Sequence, residues 1–231
     1  MIDLHAHFLP AMDDGAQNAE ISIKMLEESA KQGVSVCAAT PHCVIHKQED
    51  IDRFLKNREY SAGLLKAELE QRKFAHPKLI FGAEIFLDND LNEYTGLHRL
   101  CIDDTDYILL EFGSKKDNRK CADWLYSMTL KGLKPIIAHI DRYPDFEKMI
   151  AEFKGLNLVY QINAGRFLSV PGRMIIRRLM EYDNTYFVSS DMHNVVERSC
   201  NMQPAFQKAL KKFPQEAENW FELNGKKILN V

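Results

Sequence analysis

The chain has 231 residues, of which 45% are hydrophobic and 27% are charged, so it can bury a sizeable core. This composition excludes a disordered chain, a collagen-like repeat and a small domain held together by disulfides. Thirty Lys and Arg against 33 Asp and Glu give a net charge of −3, which provides no global positive field for nucleic acid or an anionic membrane.

Strand-like and helix-like segments alternate along the chain. Runs of β-branched and aliphatic residues predict buried strands at 2–4, 34–40, 79–84, 107–111, 135–139, 158–163 and 186–190. Apolar residues at helical spacing predict helices at 19–32, 51–73, 120–131, 145–153, 172–182 and 204–212. A helical tail over 213–229 follows, with a break at Asn224-Gly225. This alternation predicts an α/β fold with a parallel sheet and outer helices, and a single barrel over 1–231 fits it better than two domains.

The cellular location is predicted from three features. The sequence opens Met-Ile-Asp-Leu-His, without a basic region or an apolar signal core. Its apolar runs are far shorter than the roughly 20 residues that span a bilayer. Its five cysteines are odd in number and dispersed, which suits a reducing compartment. We therefore expect a cytoplasmic protein without a membrane segment.

Polar side chains gather at the carboxyl ends of the predicted strands, where parallel barrels carry their functional groups. His5 and His7 end the first strand, His42 follows the second, Glu84, Glu111 and His139 close the next three, and Asp191 and His193 follow the seventh. Residues at i and i+2 of a strand share a face, so His5 and His7 can bind one ion, and Asp191 and His193 repeat this spacing. Asp14 is a further candidate, although Asp13-Asp14-Gly15 also suits a turn and a helix cap.

These nine residues supply five nitrogen and four oxygen donors, enough for two or three ions if carboxylates bridge. Imidazole and carboxylate without thiolate suit Mn²⁺, Zn²⁺ or Fe²⁺ better than Ca²⁺ or Mg²⁺. Any one of them alone is explained as a core histidine or a solvated carboxylate. A polar residue at the end of almost every apolar strand is harder to explain by packing, because buried charges without partners are costly.

Seven motifs extend this pattern: MIDLHAHFLPAMDDG at the start, then TPH, GAEI, LEF, AHIDRY, QINAG and SDMHN. In order and spacing they resemble the PHP (polymerase and histidinol phosphatase) superfamily. More narrowly, they are similar to the bacterial manganese-dependent protein-tyrosine phosphatases of capsular and exopolysaccharide operons. Two positions depart from that pattern. Ala11 stands where a Gly is common, and Cys43-Val-Ile-His46 replaces a more polar stretch.

The resemblance implies a distorted (β/α)7 TIM-like barrel with three divalent ions, Mn²⁺ foremost and Fe²⁺ or Zn²⁺ as alternatives. It implies one ion among His5, His7, Glu84 and Asp191, a second among Glu84, Glu111 and His139, and a third among Asp14, His42 and His193. It assigns the phosphate to Arg142 and Arg198. The implied substrate is a phosphotyrosine protein, an autophosphorylating tyrosine kinase of polysaccharide assembly, with inorganic phosphate as product.

The chemistry expected of such a centre is phosphomonoester hydrolysis. A water bridging two ions loses a proton more readily than bulk water and becomes an in-line nucleophile at neutral pH. Tyrosinate is a good leaving group, so the absence of an obvious general acid is compatible with a phosphotyrosine substrate. A cysteine-based phosphatase is excluded, because no Arg stands six positions after any cysteine.

Two alternatives stay open on the same scaffold. One is a histidinol-phosphate phosphatase or another small phosphomonoesterase. The other is a non-catalytic PHP module that binds a kinase or a polymerase.

Overall fold

The computed structural model describes residues 1–72, 74–113 and 116–231. Its strands are β1 (Ile2–Ala6), β2 (Val36–Ala39), β3 (His42–Val44), β4 (Lys78–Phe81), β5 (Glu84–Leu87), β6 (Tyr107–Phe112), β7 (Lys134–Ile137), β8 (Val159–Asn163) and β9 (Thr185–Ser189). Its α-helices are α1 (Ala19–Lys31), α2 (Gln48–Arg72), α3 (Asn118–Leu130), α4 (Phe146–Glu152), α5 (Val170–Leu179), α6 (Met202–Lys212) and α7 (Asn224–Leu229). The predicted end of the second helix at Lys73 lies outside the described residues.

The strands form two sheets, one ordered β1-β2-β4 and the other β3-β5-β6-β7-β8-β9. Every strand pair is parallel, which confirms the predicted α/β class with parallel strands. Two of the predicted strands, 34–40 and 79–84, correspond to β2 and β4. After breaks at Thr40-Pro41 and Gly82-Ala83 they are followed by β3 and β5, which were not predicted as separate strands and which pair in the other sheet. Pro41 has no N–H to donate, which interrupts the ladder at the first break.

The prediction of a closed or distorted barrel is confirmed only as far as an α/β fold with parallel sheets. Within 1–72, 74–113 and 116–231, the strand ladders do not join into one closed barrel. The end of the first strand meets the segment that follows the last strand, where Ala6 of β1 and Met192 form an isolated parallel bridge. There the amide of Asp191 donates to the carbonyl of His5 over 2.9 Å, and the amide of His7 donates to the carbonyl of Met192 over 2.9 Å.

Strand β6 is buried on both faces of its sheet. Along β6, Leu109 packs in one cluster with Leu4 and Ile136, whereas its neighbours Ile108 and Leu110 pack in the larger cluster. Burial on both faces explains why the strands read as continuous apolar runs instead of alternating ones. No helix of the described residues is long and apolar enough to cross a bilayer.

The carboxyl-terminal helix is continuous at a point where a break was predicted. A π-helical segment, Asn219–Leu223, leads directly into α7, so the break predicted at Asn224-Gly225 is wrong. Gly225 instead allows close packing, because a Cβ there would lie 3.0 Å from the Cβ of Ile2. The neighbouring Asn224 donates through Nδ2 to the carbonyl of Tyr186 over 2.7 Å, so the dipeptide anchors the helix to the sheet.

Ala11 has a left-handed backbone, with φ of 54°, in the loop after β1. A residue with a Cβ pays about 1 kcal/mol in this conformation, whereas Gly does not. We therefore expect Ala11→Gly to stabilise the protein by up to about 1 kcal/mol, measured as a higher urea midpoint at unchanged slope. Ala67→Gly, on the exposed face of α2, is the control and should destabilise by about 1 kcal/mol. Equal destabilisation by both changes would contradict the assignment of strain to Ala11.

Candidate metal centre

All nine predicted ligands come together in one cluster. Among the described residues, ligand atoms within 4.8 Å of one another form three groups: His7, Asp14, His42 and His193; His5, His7 and Glu84; and His42, Glu84 and Glu111. His139 joins them through Nε2, which lies 2.9 Å from Oε1 of Glu84 and 3.3 Å from Oε1 of Glu111. Oδ1 of Asp191 lies 3.6 Å from Nε2 of both His5 and His7. Their roles as ligands stay predictions.

Strand register brings His42 and Glu84 side by side. His42 opens β3 and Glu84 opens β5, and the two are register partners. The prediction that Glu84 closes a strand is wrong, because the backbone breaks at Gly82-Ala83 and pairs anew from Glu84 onwards. Because β5 starts at Glu84, the side chain of Glu84 is buried among the imidazoles, and its Oε2 lies 2.9 Å from Nδ1 of His42.

Two candidate ligands have left-handed backbones just beyond strand ends, His139 with φ of 33° and Asp191 with φ of 53°. His139 therefore lies outside β7, although it was predicted to close that strand. Such conformations are costly for residues with a Cβ and persist only where surrounding contacts enforce them. The amide of His139 donates to Oε1 of Gln161 over 2.5 Å, and the amide of Asp191 donates to the carbonyl of His5 over 2.9 Å.

Hydrogen bonds at Nδ1 orient three of the imidazoles. Nδ1 lies 3.1 Å from Oε1 of Gln161 in His5, 2.7 Å from Oδ2 of Asp13 in His7, and 3.1 Å from the carbonyl of Asp191 in His193. These acceptors fix the proton on Nδ1 and leave Nε2 free to bind a metal.

The arrangement of the ring nitrogens suits the binding of divalent cations. Nε2 of His5 and Nε2 of His7 face each other across 3.2 Å, although both Nδ1 atoms already have acceptors. Nε2 of His193 is buried without a well-formed hydrogen bond in the described part of the chain. Imidazoles turned towards each other and towards buried carboxylates form a donor set that suits Mn²⁺, Fe²⁺ or Zn²⁺.

The charges of the centre are strongly coupled. Burial by itself would raise the pKa of Glu84, but His5, His139 and His42 hold that pKa well below its usual range. Burial lowers the pKa of His5, but Glu84 and Asp191 outweigh it and raise that pKa to about 9. The pKa of His42 rises to about 9 because Glu84 outweighs burial. Without metal, the buried carboxylates are thus compensated by protons on imidazoles.

Metal binding must displace these protons. At pH 7 the metal-free His5 and His42 carry protons, because their pKa values of about 9 lie above the pH. We therefore expect Mn²⁺ binding at pH 7 to release about two protons and its affinity to rise with pH up to about 9. Titration calorimetry in buffers of different ionisation enthalpy measures the release. Binding without proton release would contradict this coupling.

Arg142 and Arg198 border the centre through Asp191. Nη2 of Arg198 donates to Oδ1 and Oδ2 of Asp191 over 2.9 and 3.0 Å, and Nη1 of Arg142 donates to Oδ2 over 3.3 Å. The side chain of Arg142 is 44% exposed and that of Arg198 is 38% exposed, so both are partly accessible to solvent. The predicted phosphate contact of both residues stays a prediction.

Two supporting residues were missed by the sequence reasoning, which treated Asp13 as a turn residue and gave Gln161 no role. Asp13 does accept from the amide of Gly15 over 2.9 Å, but it also accepts from the amide of His42 over 2.9 Å and contacts His7. Gln161 contacts His5 and His139. Its signal was a polar side chain inside the buried strand β8, which needs a partner.

The cysteines do not provide a nucleophile. All five are buried and free. Burial raises the pKa of each thiol, to about 12 for Cys43, Cys101 and Cys200 and to about 11 for Cys121. Buried thiols with raised pKa values are unreactive, in agreement with the missing cysteine-phosphatase motif.

The fold and this cluster define a parallel α/β protein with a candidate polynuclear metal centre. A family model described as Capsular polysaccharide synthesis, CpsB/CapC, matches residues 1–230, and the chain belongs to that family. It is 29% identical to the tyrosine-protein phosphatase CpsB of Streptococcus agalactiae serotype III (strain NEM316) over 234 residues, covering 95% of this chain and 93% of the relative. It is 30% identical to the tyrosine-protein phosphatase YwqE of Bacillus subtilis (strain 168) over 238 residues, covering 99% and 91%. These matches confirm the resemblance.

Solved structures agree with this membership. One match, from work on YwqE of Bacillus subtilis and CpsB of Streptococcus pneumoniae as unique metal-dependent tyrosine phosphatases, has a TM-score of 0.81 and 27% identity, covering 100% of this chain and 94% of the other. A β-aspartyl dipeptidase from Fervidobacterium islandicum AW-1 has a TM-score of 0.56 at 11% identity, covering 99% of this chain and 74% of the other, and shares the fold alone.

Proposed function

We propose that the protein is a metal-dependent protein-tyrosine phosphatase. The observation that carries this proposal is the convergence of five imidazoles and four carboxylates on one centre with two partly exposed arginines at its border. Its relatives CpsB and YwqE are tyrosine-protein phosphatases by name, and they match nearly the whole chain.

We propose three divalent ions, with Mn²⁺ foremost and Fe²⁺ or Zn²⁺ as alternatives. One is held by His5, His7, Glu84 and Asp191, a second by Glu84, Glu111 and His139, and a third by Asp14, His42 and His193. Such ions, when bound, activate water and stabilise charge on the phosphoryl oxygens. The observed groupings support part of this division, since His5, His7 and Glu84 form one group, and Asp14, His42 and His193 belong to another that also contains His7.

The residues of the chain bind and orient the phosphate ester. Arg142 and Arg198 donate to its equatorial oxygens, which gain charge in the transition state, while Asp191 holds both guanidinium groups beside the centre. Asp13 and Gln161 keep the Nε2 atoms of His7 and His5 turned towards the centre. The leaving tyrosinate needs little help from a general acid.

The setting of the reaction is part of the proposal. We infer one domain over residues 1–231, with the two sheets as parts of a distorted (β/α)7 barrel. The substrate is an autophosphorylating tyrosine kinase of polysaccharide assembly, the product is inorganic phosphate, and the location is the cytoplasm. The family's description as capsular polysaccharide synthesis supports this choice of partner.

The test combines metal analysis with substrate preference. The purified protein is assayed with a phosphotyrosine peptide, a phosphoserine peptide and histidinol phosphate, before and after metal removal and with Mn²⁺ restored. We expect hydrolysis of the phosphotyrosine peptide that disappears on chelation and returns with Mn²⁺. Preference for histidinol phosphate would favour the small-molecule phosphatase instead. A metal-free protein without any hydrolysis would favour the non-catalytic module.

A further inference from the structure

We infer that a cavity on one side of Arg142 receives the aromatic ring of the substrate, and that Phe86 selects aryl over alkyl phosphates. The inference rests on the proposed function. The cavity has a volume of about 460 Å³, and its lining includes Phe86, Glu111, His139, Arg142, Tyr143 and Pro144. It therefore connects candidate metal ligands directly with aromatic side chains.

Strand register determines where Phe86 lies relative to the centre. Phe86 is two residues after Glu84 on β5, so both side chains share the face of the sheet that carries the centre. It is also the register partner of Glu111 on β6. Glu84 is buried, whereas Phe86 is partly exposed. Phe86 therefore lies closer to the opening of the site than Glu84 does. The group esterified to a bound phosphate has to extend in that direction.

Another part of the cavity lining is held in place by hydrogen bonds and carries an ion pair. Tyr143 is buried, and its hydroxyl accepts from the amide of Phe112 over 2.9 Å, which fixes the ring. Nζ of Lys116 lies 4.7 Å from the centre of the Tyr143 ring and pairs with Oδ1 of Asp145 over 3.1 Å. Because this ion pair satisfies both charges, the wall does not require a charged ligand, and a neutral aromatic ring can pack against Phe86 and Pro144.

A second cavity, which Arg142 also lines, is polar and charged. It has a volume of about 510 Å³, and its lining includes three arginines, Arg142, Arg166 and Arg198, and two acidic residues, Asp191 and Glu197. None of its described lining residues is aromatic. Arg142 lines both cavities. A phosphate bound beside Arg142 therefore has the arginine-lined cavity and the cavity with aromatic side chains as neighbours. The tyrosine ring occupies the cavity with aromatic side chains.

The test replaces Phe86 and separates ring binding from phosphate binding. For Phe86→Ala with Mn²⁺, we expect the KM for a phosphotyrosine peptide to rise about tenfold or more, because the ring loses its apolar partner, with a smaller change in kcat. The inhibition constant of inorganic phosphate should stay within about twofold, because phosphate has no ring to pack. Phe86→Tyr should restore the KM, and the Mn²⁺ content should be unchanged in both variants.

The control is Tyr60→Ala, which removes a 70% exposed aromatic ring from α2 and should leave the KM unchanged. A wild-type protein that does not hydrolyse the phosphotyrosine peptide overturns the proposed function. An active wild type whose KM is unaffected by Phe86→Ala overturns only this inference. A parallel loss of inorganic phosphate binding in Phe86→Ala also overturns it, because Phe86 would then support the centre as a whole.

Discussion

Replacing Glu84 by Gln will lower kcat/KM for a phosphotyrosine peptide by about 10³-fold or more. Glu84 is fully buried, and its oxygens lie within 3.3 Å of ring nitrogens of His5, His7, His42 and His139. No other carboxylate among the described residues contacts four of the candidate imidazoles. Gln keeps the shape but removes the charge that two ions would share. The measurements are steady-state kinetics with Mn²⁺ and the metal content of the purified variant.

The control for this change is Glu70→Gln, an exposed residue of α2, which should behave as the wild type. We expect Glu84→Gln to bind less metal, while its far-ultraviolet circular dichroism stays that of the wild type. A Glu84→Gln variant with full metal content and activity within about tenfold of the wild type would refute the central role of this carboxylate.

Gly15→Ala should disable the centre although it replaces no candidate ligand. A Cβ at position 15 would lie 2.1 Å from the carbonyl oxygen of His7 and 2.6 Å from its Cβ. A small local shift cannot relieve a clash of this size with backbone atoms, so His7 as a whole must move. Its hydrogen bond to Asp13 would then be disturbed. We expect about 10²-fold lower kcat/KM, weaker Mn²⁺ binding and a loss of about 1–3 kcal/mol in the free energy of unfolding.

Gly63→Ala is the matched control, because a Cβ at this position of α2 meets nothing within 4 Å. It should stabilise the protein by up to about 1 kcal/mol through helix propensity and leave the kinetics unchanged. If Gly15→Ala behaved like Gly63→Ala, the close approach of Gly15 to His7 would be disproved.

The sequence predicted the nine-residue cluster because parallel strands bring their carboxyl ends to one edge. His5 and His7, two apart after an apolar run, carry this information locally. The start of β5 at Glu84 was not predictable in the same way, because the apolar run continues across Gly82-Ala83 without a change of period. The break is visible only in the pairing, which changes sheets there.

Supporting contacts were harder to predict than the candidate ligands themselves. Gln161 contacts His5, which is 156 residues away, and the amide of His42 donates to Asp13 across 29 residues. No local period encodes such contacts. The predicted break at Asn224-Gly225 failed for a related reason, since only tertiary packing on Ile2 explains the glycine.

The meeting of the first and last strands determines when the centre can form during synthesis. The amide of Leu4 donates to the hydroxyl of Ser189, 185 residues later, and His5 binds the backbone of Asp191. A nascent chain that has not yet released residues 189–193 from the ribosome therefore has His5 and His7 but lacks Asp191 and His193. Contacts of such long sequence separation form late in folding, so metal uptake belongs to the final stage of maturation, after the last strand has docked.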